Sequence, residues 1–137
     1  MTNESAVSLE LEERPKGILV VEDEMMTRFS LASWFRLEGY RVYEAATTDD
    51  AIAVLNSSIP IHLVITDIDM PGPMDGLQLL DHIKVTAPQI QVIVASGREA
   101  DIAERDVPFF KKPYSLPRMT ARVASMLRRP DPETRHE

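Results

Sequence analysis

The chain has 137 residues, of which 44% are hydrophobic and 27% are charged, and its formal net charge is -7. A chain of this length can form one hydrophobic core, so a single domain is expected. The negative balance argues against a nucleic-acid-binding protein, which normally presents a basic face. The sequence contains no cysteine, which excludes a disulfide framework, a thiolate zinc site and a cysteine nucleophile.

The two ends of the chain differ in character from its middle. Residues 1–15 and 130–137 are polar and charged without periodic apolar positions, so we predict flexible segments on either side of one domain at residues 16–129. No apolar run approaches the ~20 residues of a membrane span, and the acidic N-terminal segment is unlike a signal peptide. We therefore expect a cytoplasmic protein that has neither a membrane nor nucleic acid among its partners.

The middle of the chain alternates between strand-like and helix-like segments. Short apolar or alternating runs predict strands at residues 17–21, 40–45, 61–66, 90–96 and 109–112. Segments with apolar residues at helical spacing predict helices at 27–38, 47–57, 76–87 and 116–128. Repeated strand–helix units indicate an α/β fold in which a parallel sheet carries helices on both faces.

Chemically active side chains stand where these strands end. The first strand is followed by Glu22 and Asp23, the third by Asp67, the fourth ends at Ser96, and the fifth ends at Lys112. Taken singly, each has an ordinary explanation as a solvated charge, a turn former or a cap. Because the carboxyl ends of parallel strands lie at one edge of the sheet, where ligand sites form, their joint position predicts a functional site.

The predicted site suits phosphoryl transfer. Carboxylates at close quarters repel one another, and a hard divalent cation relieves that repulsion, which favours Mg²⁺, with Mn²⁺ as an alternative ion. With the ion bound, Asp67 is a usable nucleophile for a phosphoryl group. Lys112 would supply positive charge for the phosphoryl oxygens, and Ser96 a hydroxyl donor.

Four segments together resemble a known family. They read ILVVEDE at residues 18–24, LVITDIDMPGPMDG at 63–76, VIVASG at 92–97 and FFKKPYS at 109–115. In this order and at these strand ends they resemble the receiver domain of two-component response regulators, over roughly residues 16–129. The resemblance implies a flavodoxin-like, doubly wound (βα)5 sandwich with a five-stranded parallel sheet in the order 2-1-3-4-5.

The resemblance also implies a role for each matching residue. Asp67 resembles the phospho-accepting aspartate, Lys112 the lysine before a cis-like Lys-Pro junction, Ser96 the switch hydroxyl, and Phe109 the switch aromatic. The metal ligands that it implies are the side chains of Glu22, Asp23 and Asp67 and the backbone carbonyl of Asp69.

The family's partners and activity follow from the same resemblance. Receivers take phosphate from a histidine kinase or a histidine phosphotransfer protein, and many also accept it from small phosphodonors. We expect a stand-alone receiver whose only chemistry is its own phosphorylation and dephosphorylation, and which is not otherwise an enzyme. Its output would be contact with a downstream protein that the sequence does not identify, or service as a phosphate shuttle or sink.

Two further groups of residues lie beside the predicted site. Asp69 and Arg98 are each two residues beyond a site residue, and we predict that they face each other and tune the phosphate lifetime. Two unrelated exposed charges are the ordinary alternative, since exposed pairs contribute little. Met25, Met26 and Phe29 are predicted as an exposed apolar surface for a partner, against the alternative that Phe29 folds back onto its neighbours.

The sequence departs from the family between the fourth and fifth strands. Only 13 residues run from Ser96 to Pro108, and a whole parallel crossover needs about 10–12. The fourth helix should therefore be very short, at about residues 100–105, or partly unwound. Its truncation puts the family's usual mode of dimerisation in doubt for this chain.

Three rival functions start from the same residues. The Asp-x-Asp after the third strand resembles the first motif of haloacid-dehalogenase-type phosphatases, but that motif wants Thr or Val at the position of Pro71 and leaves Glu22 and Asp23 unexplained. A calcium-binding loop that begins at Asp67 would need a glutamate at the position of Gln78. The third rival is a receiver-like binding module that is never phosphorylated, and the complete set of acids, hydroxyl and lysine argues against it.

Overall fold

The computed structural model of the protein describes residues 14–98 and 105–127. Its strands are β1 (Gly17–Val21), β2 (Arg41–Ala45), β3 (Leu63–Asp67), β4 (Gln91–Ser96) and β5 (Phe109–Lys111). The helices within the described residues are α1 (Met25–Leu37), α2 (Thr48–Leu55), α3 (Gly76–Thr86) and α4 (Leu116–Met126). In this part of the chain no helix has the length and apolar content needed to cross a membrane.

The strands form one sheet in the order β2-β1-β3-β4-β5, and every neighbouring pair is parallel. The predicted fold class and strand order are therefore confirmed. The central strands β1, β3 and β4 are rich in Val, Ile or Leu, as buried strands are. The edge strand β2 alternates apolar and polar residues, as a half-buried strand does.

The sheet separates two hydrophobic clusters. Ile18 and Val20 of β1 face a cluster with α1 and α4, which contribute Phe35 and Met119 among others. Leu19 and Val21 face the opposite cluster, which includes residues of α2 and α3 such as Leu80. Because successive side chains of a strand point to opposite faces, one short strand contributes to both cores, and its end is held firmly in place.

Two helix boundaries show how local chemistry sets the ends of elements. Helix α1 begins at Met25, two residues before the predicted start, because the Glu24 carboxylate accepts hydrogen bonds from the backbone N–H groups of Met26 and Thr27. At its other end Gly39 has a φ of 96°, a left-handed conformation that favours glycine. Helix α4 begins at Leu116 as predicted, with the Ser115 hydroxyl as its cap.

The connection between β4 and β5 is described only at its two ends. Residues 97, 98 and 105–108 contain no helix. The short helix predicted at about residues 100–105 lies outside the described residues, apart from Arg105, which is in a bend. The predicted flexible segments also lie outside them, apart from Arg14 and Pro15.

Candidate functional site

Three carboxylates meet where β1 and β3 end. Oxygen atoms of Glu22, Asp23 and Asp67 lie within 4.8 Å of one another. Glu22 is buried, Asp67 is partly buried and Asp23 is exposed, so the group forms one wall of an open site. We call these three residues the acid site.

Lys112 places a positive charge between two of these carboxylates. Its ammonium Nζ is 2.7 Å from Glu22 Oε1 and 3.1 Å from Asp67 Oδ2. Burial alone would lower the pKa of Lys112, but its hydrogen bonds and charge interactions with Glu22 and Asp67 outweigh burial and raise the pKa above its usual value. Lys112 therefore stays charged throughout the neutral pH range. Its backbone N–H donates to the Ser96 carbonyl oxygen at 2.8 Å, which ties it to β4, and the Lys112–Pro113 peptide bond is cis.

Short hydrogen bonds fix the Glu22 side of the acid site. The backbone N–H of Glu24 donates to Glu22 Oε2 at 3.0 Å, and Arg28 Nη1 donates to the Glu22 carbonyl oxygen at 2.9 Å. Arg28 is itself held by Glu44, with Nε 3.4 Å from Oε1. Because Glu24 also caps α1, the first turn of that helix is coupled to the acid site.

A close backbone contact holds the chain after Asp67. Gly76 lies so near β3 that a Cβ atom there would overlap the carbonyl oxygen of Asp67. The backbone N–H of Gly76 donates to the Ile68 carbonyl oxygen at 2.8 Å. The loop over residues 68–75 therefore folds back onto the end of β3, and only a residue without a side chain fits at its closing point.

The structure places the two predicted switch residues, Ser96 and Phe109, on β4 and β5. Ala95 is the β4 residue in register with Asp67, and Ser96 follows it. Ser96 is 0% exposed, and its Oγ accepts a hydrogen bond from the Arg98 backbone N–H at 3.2 Å. Phe109 begins β5 and is partly buried against the cluster that contains α2 and α3.

Asp69 and Arg98 face each other, with Arg98 Nη2 2.7 Å from Asp69 Oδ1. Both side chains are more than half exposed. The backbone N–H of Asp69 lies 3.4 Å from Asp67 Oδ1, so the pair stands directly beside the predicted nucleophile.

The profile of the response regulator receiver domain matches residues 18–124. The chain belongs to this family. Receiver domains are signalling switches of two-component systems rather than turnover enzymes. In two-component signalling, receiver domains interact with a histidine kinase or a phosphotransfer protein.

Individual relatives agree with this assignment. The receiver is 33% identical over 121 residues to the sensor kinase CckA of Brucella abortus, across 83% of this chain and 13% of that protein. It is 45% identical over 91 residues to the Regulator of RpoS of Escherichia coli K12, across 65% of this chain and 26% of that protein. It therefore spans about a quarter or less of these two relatives. The solved response regulator protein TrrA of Thermotoga maritima, in complex with Mg(2+)-BeF, is 26% identical with a TM-score of 0.73, across 81% and 98% of the two chains.

The residues of this receiver fit the magnesium ion that its family binds at an acidic pocket. Three carboxylate oxygens within 4.8 Å of one another match the oxygen ligands that Mg²⁺ prefers, and the exposed side of Asp23 leaves room for water. The donor set contains neither histidine nor cysteine, so it does not favour zinc or copper over magnesium.

The predicted docking residues lie on the first turns of α1, beside the acid site. Met25, Met26 and Phe29 are 64%, 63% and 59% exposed, so Phe29 does not fold back onto its neighbours. A shallow groove of about 290 Å³ includes Met26 but neither Met25 nor Phe29 in its lining, together with Leu31, Tyr114 and other residues.

Sequence reasoning missed several residues that support this site. Glu24 caps α1, and a polar residue before a run of helical spacing is the signal for that role. Arg28 and Gly76 were not singled out, because a hydrogen bond to a carbonyl and a close backbone contact leave no local pattern in a sequence.

Proposed function

We propose that this receiver accepts a phosphoryl group on Asp67, in a Mg²⁺-dependent reaction, from a histidine kinase or a histidine phosphotransfer protein. It then changes its contacts with a downstream protein, or it serves as a phosphate shuttle or sink. The observation that supports this most directly is the position of the Asp67 carboxylate. Its Oδ2 lies 3.1 Å from the Lys112 ammonium, and one of its oxygens lies within 4.8 Å of carboxylate oxygens of Glu22 and Asp23.

The step itself forms one bond and breaks one bond. A carboxylate oxygen of Asp67 attacks the phosphorus of a phosphohistidine, the P–N bond breaks, and the imidazole nitrogen leaves with the electron pair and takes up a proton. The Lys112 ammonium lies beside Asp67 Oδ2, where it offsets the negative charge of the incoming phosphoryl oxygens. Ser96 is buried in the described state, so its hydroxyl must turn outward before it reaches that group.

Glu22, Asp23 and Asp67 would hold the magnesium ion, with the backbone carbonyl of Asp69 as a further ligand. The ion supplies positive charge that neutralises the carboxylates and the phosphoryl oxygens. The similar response regulator TrrA was solved in complex with Mg(2+)-BeF, which supports a magnesium ion at this site. Phosphorylation adds about -1.5 to -2 charges, and we expect Ser96 and Phe109 to repack in response.

Incubation with acetyl phosphate and Mg²⁺, followed by intact mass measurement, tests the proposal. We expect wild type to gain the mass of one phosphoryl group, because Asp67 carries the nucleophilic oxygen. Asp67→Asn should gain none, whereas the exposed Asp49→Asn on α2 should behave as wild type. Equal adducts in wild type and Asp67→Asn would refute Asp67 as the acceptor. If the folded wild type gains no adduct even when an active histidine kinase is also supplied, the result would favour a receiver-like binding module that is never phosphorylated.

We propose that the Asp69–Arg98 pair sets the lifetime of the phosphate. In hydrolysis a water attacks phosphorus, the bond from phosphorus to the Asp67 oxygen breaks, and inorganic phosphate leaves. The pair stands beside that oxygen, so Asp69→Asn should speed dephosphorylation. An exposed pair contributes at most about 1 kcal/mol, which limits the change to about fivefold.

Dephosphorylation of the purified acyl phosphate, followed by loss of adduct mass with time, measures this effect. Asp81→Asn is the matched control, because Asp81 pairs with Arg105 at 3.0 Å on another part of the surface. A rate equal to wild type in Asp69→Asn would remove the tuning role.

We propose that Met25, Met26 and Phe29 receive the histidine-bearing helix of the phosphodonor. These exposed apolar side chains lie on the helix that Glu24 couples to the acid site. Phe29→Ser should slow phosphotransfer from a histidine kinase that phosphorylates wild type, and leave acetyl phosphate labelling unchanged. Leu37→Ser, which alters an exposed apolar residue at the far end of α1, is the control. The docking role fails if the rate of phosphotransfer from the kinase falls equally in both variants, or falls in neither.

A further inference from the structure

A second pocket lies near the amino-terminal ends of the strands, whereas the acid site lies at their carboxyl ends. It has a volume of about 460 Å³ and is formed where β1 and β2 begin and where the chain approaches β3. We call it the basic pocket, and the residues that define it here are Arg14, Lys16, Arg41, Tyr43, Pro60 and His62. Five residues of β1, each with a rise of about 3.3 Å, separate it from Glu22.

Backbone hydrogen bonds hold the walls of the basic pocket together. The Arg41 N–H donates to the Lys16 carbonyl oxygen at 3.0 Å, and the His62 N–H donates to the Gly17 carbonyl oxygen at 2.8 Å. A Cβ atom at Gly17 would overlap the Pro60 carbonyl oxygen, so glycine allows the segment before β3 to lie directly over the start of β1. The residues that line the pocket therefore lie in β2 or within three residues of the start of β1 or β3.

The three cations of the basic pocket have no carboxylate partner among residues 14–98 and 105–127. Elsewhere in the described protein, ion pairs with carboxylates involve Arg28, Arg36, Arg98, Arg105 and Lys112. Like charges that line one cavity, with no carboxylate partner in the described part of the chain, favour an anionic ligand.

The remaining walls add a donor and an apolar surface. His62 Nδ1 accepts a hydrogen bond from the Gly17 N–H at 3.0 Å, so the neutral imidazole carries its proton on Nε2 and keeps one N–H donor. The Tyr43 side chain packs partly against the core, and the rings of Pro15 and Pro60 lie at the same cavity. A cavity of this size exceeds the needs of a bare inorganic anion and is within the range of small-molecule sites.

We propose that the basic pocket binds a small organic phosphate, with the phosphate group at Arg14, Lys16 and Arg41 and the organic part against Tyr43 and the two prolines. Arginine and lysine are the side chains that proteins use for phosphate groups. A concave pocket on an acidic protein suits a compact anion better than an extended polyanion such as nucleic acid. This site is independent of the chemistry proposed for Asp67.

Isothermal titration calorimetry of the full chain, with adenosine 5′-monophosphate as the probe, tests this inference. Saturable binding with one site is expected, weakened at least tenfold in the double variant Lys16→Gln/Arg41→Gln. Inorganic phosphate should bind at least tenfold more weakly than the nucleotide, and adenosine should not bind measurably. The proposal would be overturned if wild type did not bind the nucleotide, or if it bound inorganic phosphate and the nucleotide with equal affinity.

Two further variants separate this site from the rest of the molecule. Arg118→Gln/Arg122→Gln removes two cations from α4 and should bind the nucleotide as wild type does. Asp67→Asn should also bind it unchanged, so that a failure of nucleotide binding and a failure of phosphorylation are distinguishable. Circular dichroism shows whether the pocket variant is folded. A folded pocket variant with wild-type affinity would refute the assignment of these cations.

Discussion

Lys112→Met is expected to slow phosphorylation of the receiver by roughly 10²–10³-fold, the loss that follows removal of one preorganised charged donor at a reacting centre. The interactions with Glu22 and Asp67 raise the pKa of Lys112, so the substitution removes a full positive charge at neutral pH. That charge lies 3.1 Å from Oδ2 of Asp67, the residue to which the phosphoryl group is to be attached. The measurement is the rate of adduct formation by intact mass, with acetyl phosphate and Mg²⁺ at fixed concentrations.

Lys111→Gln is the matched control, because it removes the same charge from the preceding, exposed residue of β5. Its rate should stay close to that of wild type. Circular dichroism of both variants separates a loss of chemistry from a loss of fold, which is necessary because Lys112 also neutralises the buried Glu22. A folded Lys112→Met protein with an unchanged rate would show that this ammonium takes no part in the transfer.

Gly76→Ala should destabilise the fold by about 3 kcal/mol, at the upper end of the usual cost of overpacking a rigid site. The added Cβ would overlap the Asp67 carbonyl oxygen, and that oxygen belongs to a strand buried between two layers of helices. Alanine would otherwise stabilise a helical position by up to about 1 kcal/mol relative to glycine, so a clear loss of stability shows that the overlap dominates. The thermal midpoint should fall by roughly 10 °C for a domain of this size.

Gly97→Ala provides the comparison, since a Cβ at that position would meet no heavy atom within 4 Å. Its thermal midpoint should remain within about 2 °C of wild type, because the change in free energy at such a surface position is normally below about 0.5 kcal/mol. Any Gly76→Ala protein that still folds should also give less phosphoryl adduct, because Asp67 must shift with its carbonyl. A Gly76→Ala midpoint equal to that of Gly97→Ala would show that the loop adjusts at no cost.

The sequence was sufficient to predict most of the fold. The short aliphatic runs that became β1 and β3 are buried on both faces, and such runs are what helices on both sides of a parallel sheet require. Boundaries were less accurate where a side chain sets them, as when Glu24 caps α1 and starts it at Met25. The middle of the connection from β4 to β5, residues 99–104, lies outside the described residues, so the prediction of a very short helix there stays a prediction.

The position of the candidate site could be predicted, whereas its internal contacts could not. Strand ends bring Glu22, Asp67 and Lys112 to one edge by topology alone. Which oxygen atom the ammonium meets depends on packing between residues far apart in the chain, and no local pattern records it. The basic pocket was not predicted for the same reason, because Arg41 and His62 become neighbours of Lys16 only when three strands are paired.

The long separation along the chain between Lys112 and its two partners has a consequence for biosynthesis. Lys112 lies 90 residues after Glu22 and 45 residues after Asp67 along the chain. At a translation rate of ~5–20 residues per second, the last of the three is made roughly 2–9 seconds after Asp67. During that interval the acids of the nascent chain have no ammonium opposite them, and β4 has no β5 beside it. The acid site therefore gains its neutralising ammonium only once β5 and Lys112 have been made, 45 residues after Asp67.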